Sequence, residues 1–259
     1  MRLRYHFATW LTVMAVRPGL LTAEPLTPLI PRPSSVVIVE LFTSEGCSSC
    51  PPADSLLRQV HLKETSAGQL IVGISEHVTY WNNLGWKDPY SSQVFTDRQS
   101  VYASRLSPDG PYTPQMVVDG REQFVGSDGE TLERAVADAG RRAHVDLRIL
   151  SSTPSDSALD VRFAVSGSFS KALDIVAVLA DDADRSHVLR GENNGRLLEH
   201  VSVARTLNVV ATIRDSGEES FRLALPDGFQ SGTAGGHHLI LFAQEPHQGA
   251  ILGAATIPL

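Results

Sequence analysis

VVIVELFTSEGCSSCPPADSLLRQV, residues 36–60, joins a continuous apolar run to a polar turn, two cysteines two residues apart, and a segment with apolar residues at helical spacing. The run Val36–Phe42 has the length and composition of a strand buried on both faces. Pro51 and Pro52 stand where the first turn of a helix tolerates proline, and Leu56, Leu57 and Val60 follow on one face. The order is therefore strand, CxxC, helix. It sets Cys47 and Cys50 at the positive end of a helix, where unsatisfied N–H groups and the macrodipole favour a thiolate.

Three chemistries use such a pair. A structural zinc ion needs four ligands, and with no third cysteine in the chain histidines would have to complete the set. A purely structural disulfide closes so small a ring that it removes little chain entropy. A redox pair has Cys47, at the head of the turn, as the attacking thiolate and Cys50 as the residue that resolves the mixed disulfide; it requires no dissociable cofactor. Ser48 and Ser49 bring no cation to the sulfurs and Glu45 opposes a thiolate, which argues against a strong oxidant.

Upstream, Arg2 and Arg4 precede the apolar run Phe7–Val16, which Arg17 and Pro18 stop short of the roughly 20 residues a membrane helix needs. Residues 1–23 are therefore predicted to be a secretory signal, and the proline-rich residues 24–35 a linker. The expected location is secreted or periplasmic, where disulfides persist. The net charge is −7, and the predicted signal holds three arginines and no acid. So acidic a chain, without a basic stripe, argues against nucleic acid or an anionic membrane as partner. No membrane span is expected once the signal is removed.

Downstream, Leu70–Ile74 reads as a second buried strand, parallel to the first, and runs into His77. Such a strand end lies at the edge where sheets of this kind carry ligands. His77 would lower a cysteine pKa there, or join the two sulfurs in binding a soft metal such as copper, or simply pack as a hydrogen-bonded histidine. Tyr80, Trp81, Trp86 and Tyr90 form either an apolar lip for a substrate peptide or a seal between domains. Val94–Leu106 is a predicted helix with Val94, Phe95, Val101, Tyr102 and Leu106 turned inward. A strand before Asp119-Gly120 turns back through Gln123–Val125, and Ser127 with Glu130 caps a further helix ending at Gly140. From Val145 the apolar period changes to two, through seven short segments at Val145–Ile149, Leu159–Val165, Ile175–Leu179, Ser202–Val210, Ser220–Leu225, Leu239–Ala243 and Ile251–Ile257. That pattern predicts an all-β sandwich-like domain over residues 145–259, after an α/β domain over residues 36–142. His237 and His238, after two glycines, read as a solvated turn.

The first half resembles the thioredoxin fold: strand, CxxC, helix, strand, helix, then Thr113-Pro114 before a hairpin and a last helix. VELFTSEGCSSCPPADSLL, YWNNLGWKDPY, YTPQMVVDG and RGENNGR resemble the signature blocks of a secreted, thioredoxin-like family, the domain of unknown function 1223. Where that pattern commonly carries aspartates after His-Val and after Tyr-Trp, this chain has Thr79 and Asn82. The resemblance implies a thioredoxin-like domain acting on a protein thiol or disulfide client, a cis Pro114 facing the disulfide, and a buried Glu40 that exchanges protons with Cys50. A second reading of the same residues is a copper carrier, or a partner-binding scaffold with a structural disulfide.

Overall fold

The computed structural model describes residues 33–107, 109–155, 157–226 and 236–259, so the predicted signal and most of the linker lie outside the described residues. The run Val36–Phe42 lies in β1 (Ser35–Thr43), followed by α1 (Pro51–Val60) and β2 (Gln69–His77), which pairs parallel to β1 from Ser35↔Gln69 to Thr43↔His77. Next come α2 (Gln93–Leu106), the hairpin β3 (Gln115–Val118) and β4 (Glu122–Val125), and α3 (Gly129–Gly140). The Thr113–Pro114 peptide is cis. Asp128, rather than Ser127, caps α3, its carboxylate accepting from Thr131 N–H at 3.0 Å.

The second half supplies β5 (Asp146–Pro154), β6 (Ala158–Ser166), β7 (Leu173–His187), β8 (Leu197–Ile213), β9 (Gly217–Ala224), β10 (His237–Gln244) and β11 (Ile251–Pro258). All seven predicted strands exist. Their arrangement corrects the predicted fold class, an α/β thioredoxin-like domain followed by a separate sandwich. Four of them continue the first sheet, giving one mixed sheet in the order β11-β10-β7-β8-β2-β1-β3-β4, and only β5-β6-β9 form a second sheet. The join is the parallel pairing of Ser75 in β2 with Val203 in β8. The eight-stranded sheet also returns on itself, since Ile251 N–H at the start of β11 donates to the Asp119 carbonyl in the β3–β4 turn at 2.9 Å. Residues 33–259 make one compact unit.

The physical reason lies in burial. Ile175–Ala180 of β7 and Leu239–Gln244 of β10 are buried at every position, as strands covered on both faces are. Their alternate side chains serve two cores. Ile175, Ala177, Leu179, Leu239 and Leu241 pack on Val161, Phe163 and Val165 of the small sheet. Val176, Val178, Ile240 and Phe242 pack with Ile38, Val72, Ile74 and Phe95 from the first half. The change of period at Val145 marks the start of the small sheet and not the end of the first one.

Helix α2 also departs from its predicted face: Val94 and Val101 are exposed, and the buried stripe is Phe95, Arg98, Gln99, Tyr102 and Ala103. Arg98 turns inward because two carboxyls await it. Its Nε donates to Glu40 Oε1 at 2.5 Å and lies 3.8 Å from Glu76 Oε1, while Tyr102 donates to Glu40 Oε2 at 2.7 Å. Arg98 and Gln244 of β10 also bond each other, at 3.2 Å, across the predicted domain boundary. Among the described residues neither Glu76 oxygen has a hydrogen-bond partner. Burial and then the neighbouring Glu40 charge push the Glu76 pKa well above its ordinary 4.5, and Arg98 only partly offsets them. The folded state therefore keeps a proton that the unfolded chain loses above pH 4.5. Its contribution to stability is complete below that pH and is lost as pH rises through the folded pKa. Urea unfolding across a pH series should show Glu76→Gln with a flatter decline than the parent and greater stability in alkali; matching slopes would refute this account.

Candidate functional site: the covered CxxC loop

The loop between β1 and α1 is folded by its own backbone. Cys47 N–H donates to the Ser44 carbonyl at 3.1 Å and Cys50 N–H to the Cys47 carbonyl at 3.3 Å, and Ala53 N–H then takes the Cys50 carbonyl at 2.8 Å to start the helix. Cys47 and Cys50 form a disulfide, with Cα atoms 5.4 Å apart. Both are 0% exposed, whereas Ser48 and Ser49 between them face solvent. Cys47, expected to attack from the head of the turn, is thus as enclosed as Cys50. Two loops account for its enclosure. Trp81 lies so close over Gly46 that a Cβ at that glycine would sit 3.0 Å from Trp81 Cβ, and Trp81 Nε1 donates to Thr113 Oγ1 at 2.8 Å, beside the cis proline. From the β7–β8 connection, Asn193 Nδ2 donates to the carbonyls of Glu45 and Cys47, each at 2.9 Å, and Glu192 accepts Ser48 N–H at 3.0 Å. The block RGENNGR is therefore a clamp on the CxxC loop.

Beneath the loop is a buried set of ionisable groups. Glu45, His77, Asp88 and His200 are each at most 2% exposed and Asp54 is 5% exposed. His77 Nδ1 meets Asp88 Oδ2 at 2.7 Å, and Asp88 also accepts the N–H groups of Glu45 at 2.8 Å and Tyr90 at 2.9 Å. Burial opposes the Asp88 charge, but His77 and these donors hold its pKa below the ordinary value. The acid beside His77 thus comes from the KDPY stretch, with Thr79 and Asn82 standing where the family pattern commonly has acids. His200, at the start of β8, lies between Glu45 (Nε2 to Oε1, 3.4 Å) and Asp54 (Nδ1 to Oδ1, 3.8 Å). At these distances they are ion pairs rather than hydrogen bonds, and among the described residues neither ring nitrogen has a hydrogen-bond partner. Burial lowers the His200 pKa, and the two carboxylates more than reverse this, raising it to about 10. Trp86 Nε1 donates to Glu45 Oε2 at 2.7 Å, and the Tyr90 ring closes on both histidines, so the aromatic residues seal this cluster.

The structure separates Glu40 from the site. In β1 Val37, Val39 and Leu41 face Ala53 and Leu57 of α1, whereas Glu40 faces α2 and bonds Arg98 and Tyr102. It lies on the far side of the sheet from α1, so the expected proton exchange with Cys50 does not hold. The copper reading fares no better in the geometry: the sulfurs are bonded to each other, and the His77 and His200 rings meet edge to face with centroids 4.7 Å apart. Among the described residues no group of three or more His, Cys, Asp or Glu side chains is arranged to hold a metal ion. His238 is no solvated turn. Its Nε2 lies 2.9 Å from Ser202 Oγ and its Nδ1 2.6 Å from Asp182 Oδ1. That is the order of a nucleophile, base and acid, but Ser202 is 0% exposed, and the trio ties β8, β10 and β7 together.

The model of the family described as Protein of unknown function (DUF1223) matches residues 38–244, spanning the CxxC loop, the aromatic loop and the clamp. The chain belongs to this family. A crystal structure from Agrobacterium tumefaciens is similar to this DUF1223 chain at 28% identity and a TM-score of 0.63, over 86% of this chain and 94% of that one. Coverage of that extent takes in both halves of the chain. Two structures of a Kluyveromyces marxianus beta-glucosidase align at 12% and 11% identity over 45% and 75% of this chain and 14% and 18% of theirs. Their TM-scores of 0.23 and 0.27 are too low to bear on fold or function. No curated protein matches.

The clamp of the DUF1223 chain gives a direct expectation. Asn193→Ala leaves the buried Glu45 carbonyl without its donor and the Cys47 carbonyl with the Cys50 N–H alone, at a cost of about 1–3 kcal/mol. Alkylation of the reduced cysteines under native conditions should speed up in this variant, whereas a parent-like rate would mean that Asn193 does not hold the cover.

Proposed function

We propose that this DUF1223 protein is an exported thiol-disulfide oxidoreductase whose Cys47–Cys50 pair acts on a protein thiol or disulfide client once the Trp81 and Asn193 loops are displaced. The observation that carries the reading is the buried Glu45, Asp54, Asp88, His77 and His200 set against the CxxC loop. Burying charges costs several kcal/mol per ion before pairing repays it, on the order expected for real proteins. A small-ring staple needs no such environment. Reduction by a client dithiol breaks the Cys47–Cys50 bond, delivers two electrons and two protons to the pair, and leaves the client as a disulfide. In the opposite direction the reduced Cys47 thiolate attacks a client disulfide, one client sulfur leaves as a thiolate, and Cys50 resolves the mixed disulfide, releasing the second client thiol and re-forming the Cys47–Cys50 bond. Carboxylates on both sides of the loop disfavour a thiolate, so the couple is a weak oxidant. Dithiol-driven reduction of a protein disulfide such as that of insulin tests this. The protein should accelerate it and Cys47→Ser should not; no acceleration over the uncatalysed reaction would end the reading. The complete enclosure of both sulfurs favours a second reading, a structural disulfide, under which the parent and Cys47→Ser behave alike in that assay.

A further inference from the structure

The β7–β8 connection and the first turn of β8 hold the CxxC loop from the opposite half of the chain. Beyond the clamp at Glu192 and Asn193, the deepest ionisable side chain they deliver is His200, 1% exposed in its side chain. Glu45 stands two residues before Cys47. Asp54 stands one helical turn after Cys50, its N–H donating to the Cys50 carbonyl at 3.1 Å and its Oδ1 accepting from Thr43 Oγ1 at 2.9 Å. The His200 ring lies between these two carboxylates, so both flanks of the cysteine loop converge on one imidazole.

We propose that His200 is the positioning residue of the Cys47–Cys50 couple: wedged between Glu45 and Asp54, it offsets the carboxylates that flank the cysteines and thereby sets how readily a thiolate forms after reduction. This rests on the redox reading of the pair. A unit charge this deep acts through an interior where effective screening is far weaker than in water. The other ionisable groups around His200 are accounted for. His77 contacts it edge to face and is committed to Asp88. Tyr90 covers both rings, with Arg205 stacked 5.7 Å from its centroid. Asp184 of β7 interacts with His200 through charge, but Asp181 and Arg205 also act on it. None of these groups spans Glu45 and Asp54 as His200 does.

The test is titration of the full chain after reduction with a small dithiol, following thiolate absorbance in the ultraviolet against pH. His200→Gln should raise the lower thiol pKa by about one unit, and Glu45→Gln and Asp54→Asn should each lower it by a similar amount. Loss of a merely structural strut would destabilise all three variants without moving the thiol pKa in opposite directions. Shifts of one sign in all three, or no shift in any, would overturn the proposal. If His200→Gln does not fold, His200→Asn takes its place, and the two carboxyl variants alone decide whether the flanking charges reach the sulfurs. The titration needs no client and no turnover. Absent insulin reduction with opposite-signed shifts would remove the oxidoreductase reading and leave the role of His200 standing; turnover without the shifts would do the reverse.

Discussion

Replacing Arg98 by methionine should cost about 3–5 kcal/mol, the range found when one partner of a buried ion pair is removed and the other is left uncompensated. Arg98 is enclosed between Glu40 and Glu76, stacks 5.0 Å over Tyr102 and 5.3 Å over Phe242, and reaches Gln244. It is the charge that lets two adjacent strands carry acids on one buried face. Methionine preserves much of the side-chain volume, so the loss reports charge and hydrogen bonding rather than a cavity. Because one arginine joins β1, β2, α2 and β10, urea unfolding should remain a single transition at a lower midpoint. Two separated transitions would indicate that the halves are independent, contrary to the joined sheet.

The second large effect is expected at Asp88. Its carboxylate gathers His77 Nδ1 and the N–H groups of Glu45 and Tyr90. Asp88→Ala strands all three, and with an unmade buried hydrogen bond worth about 1–3 kcal/mol the combined cost should exceed that of Asn193→Ala. The folded Asp88 pKa is held below 3.8, so its contribution is present above that pH and is lost as pH falls through the folded value. Parent and Asp88→Ala should therefore differ most near neutrality and converge in acid. A difference that stays constant down to strong acid would show that the carboxylate charge is not what matters.

Local pattern carried a good deal of this structure. Val36–Phe42, the prolines at the start of α1 and the alternation in Leu159–Val165 each specify their element through periods that a short window contains. What failed was the partition. Ile175–Ala180 and Leu239–Phe242 are apolar runs more unbroken than Val36–Phe42, which Glu40 interrupts, and that unbroken character is itself the sign of a strand covered on both faces. Read that way, they belong in the middle of a large sheet and not in a half-solvated sandwich. Phe95 and Tyr102 lie on one stripe with Arg98 between them, so its buried partners were also open to inference once Glu40 was placed in a strand. The site was less legible. Cys47, Cys50 and His77 stand in local motifs, but Asp88 lies across a loop from His77, and His200 reaches Glu45 only because β8 joins β2. Nothing within Leu197–His200 marks that contact.

For the redox reading to hold, Cys47 must leave its enclosure and exchange with a partner while the protein stays folded. Cys50→Ser, which removes the resolving thiol, should accumulate a mixed disulfide when the folded variant is offered a peptide disulfide: the Cys47 thiolate attacks one sulfur and the other half leaves as a thiol. Mass analysis should then find one peptide half on Cys47. If the folded variant remains unmodified while the same chain in denaturant reacts fully, the disulfide is a buried staple and the redox account is wrong.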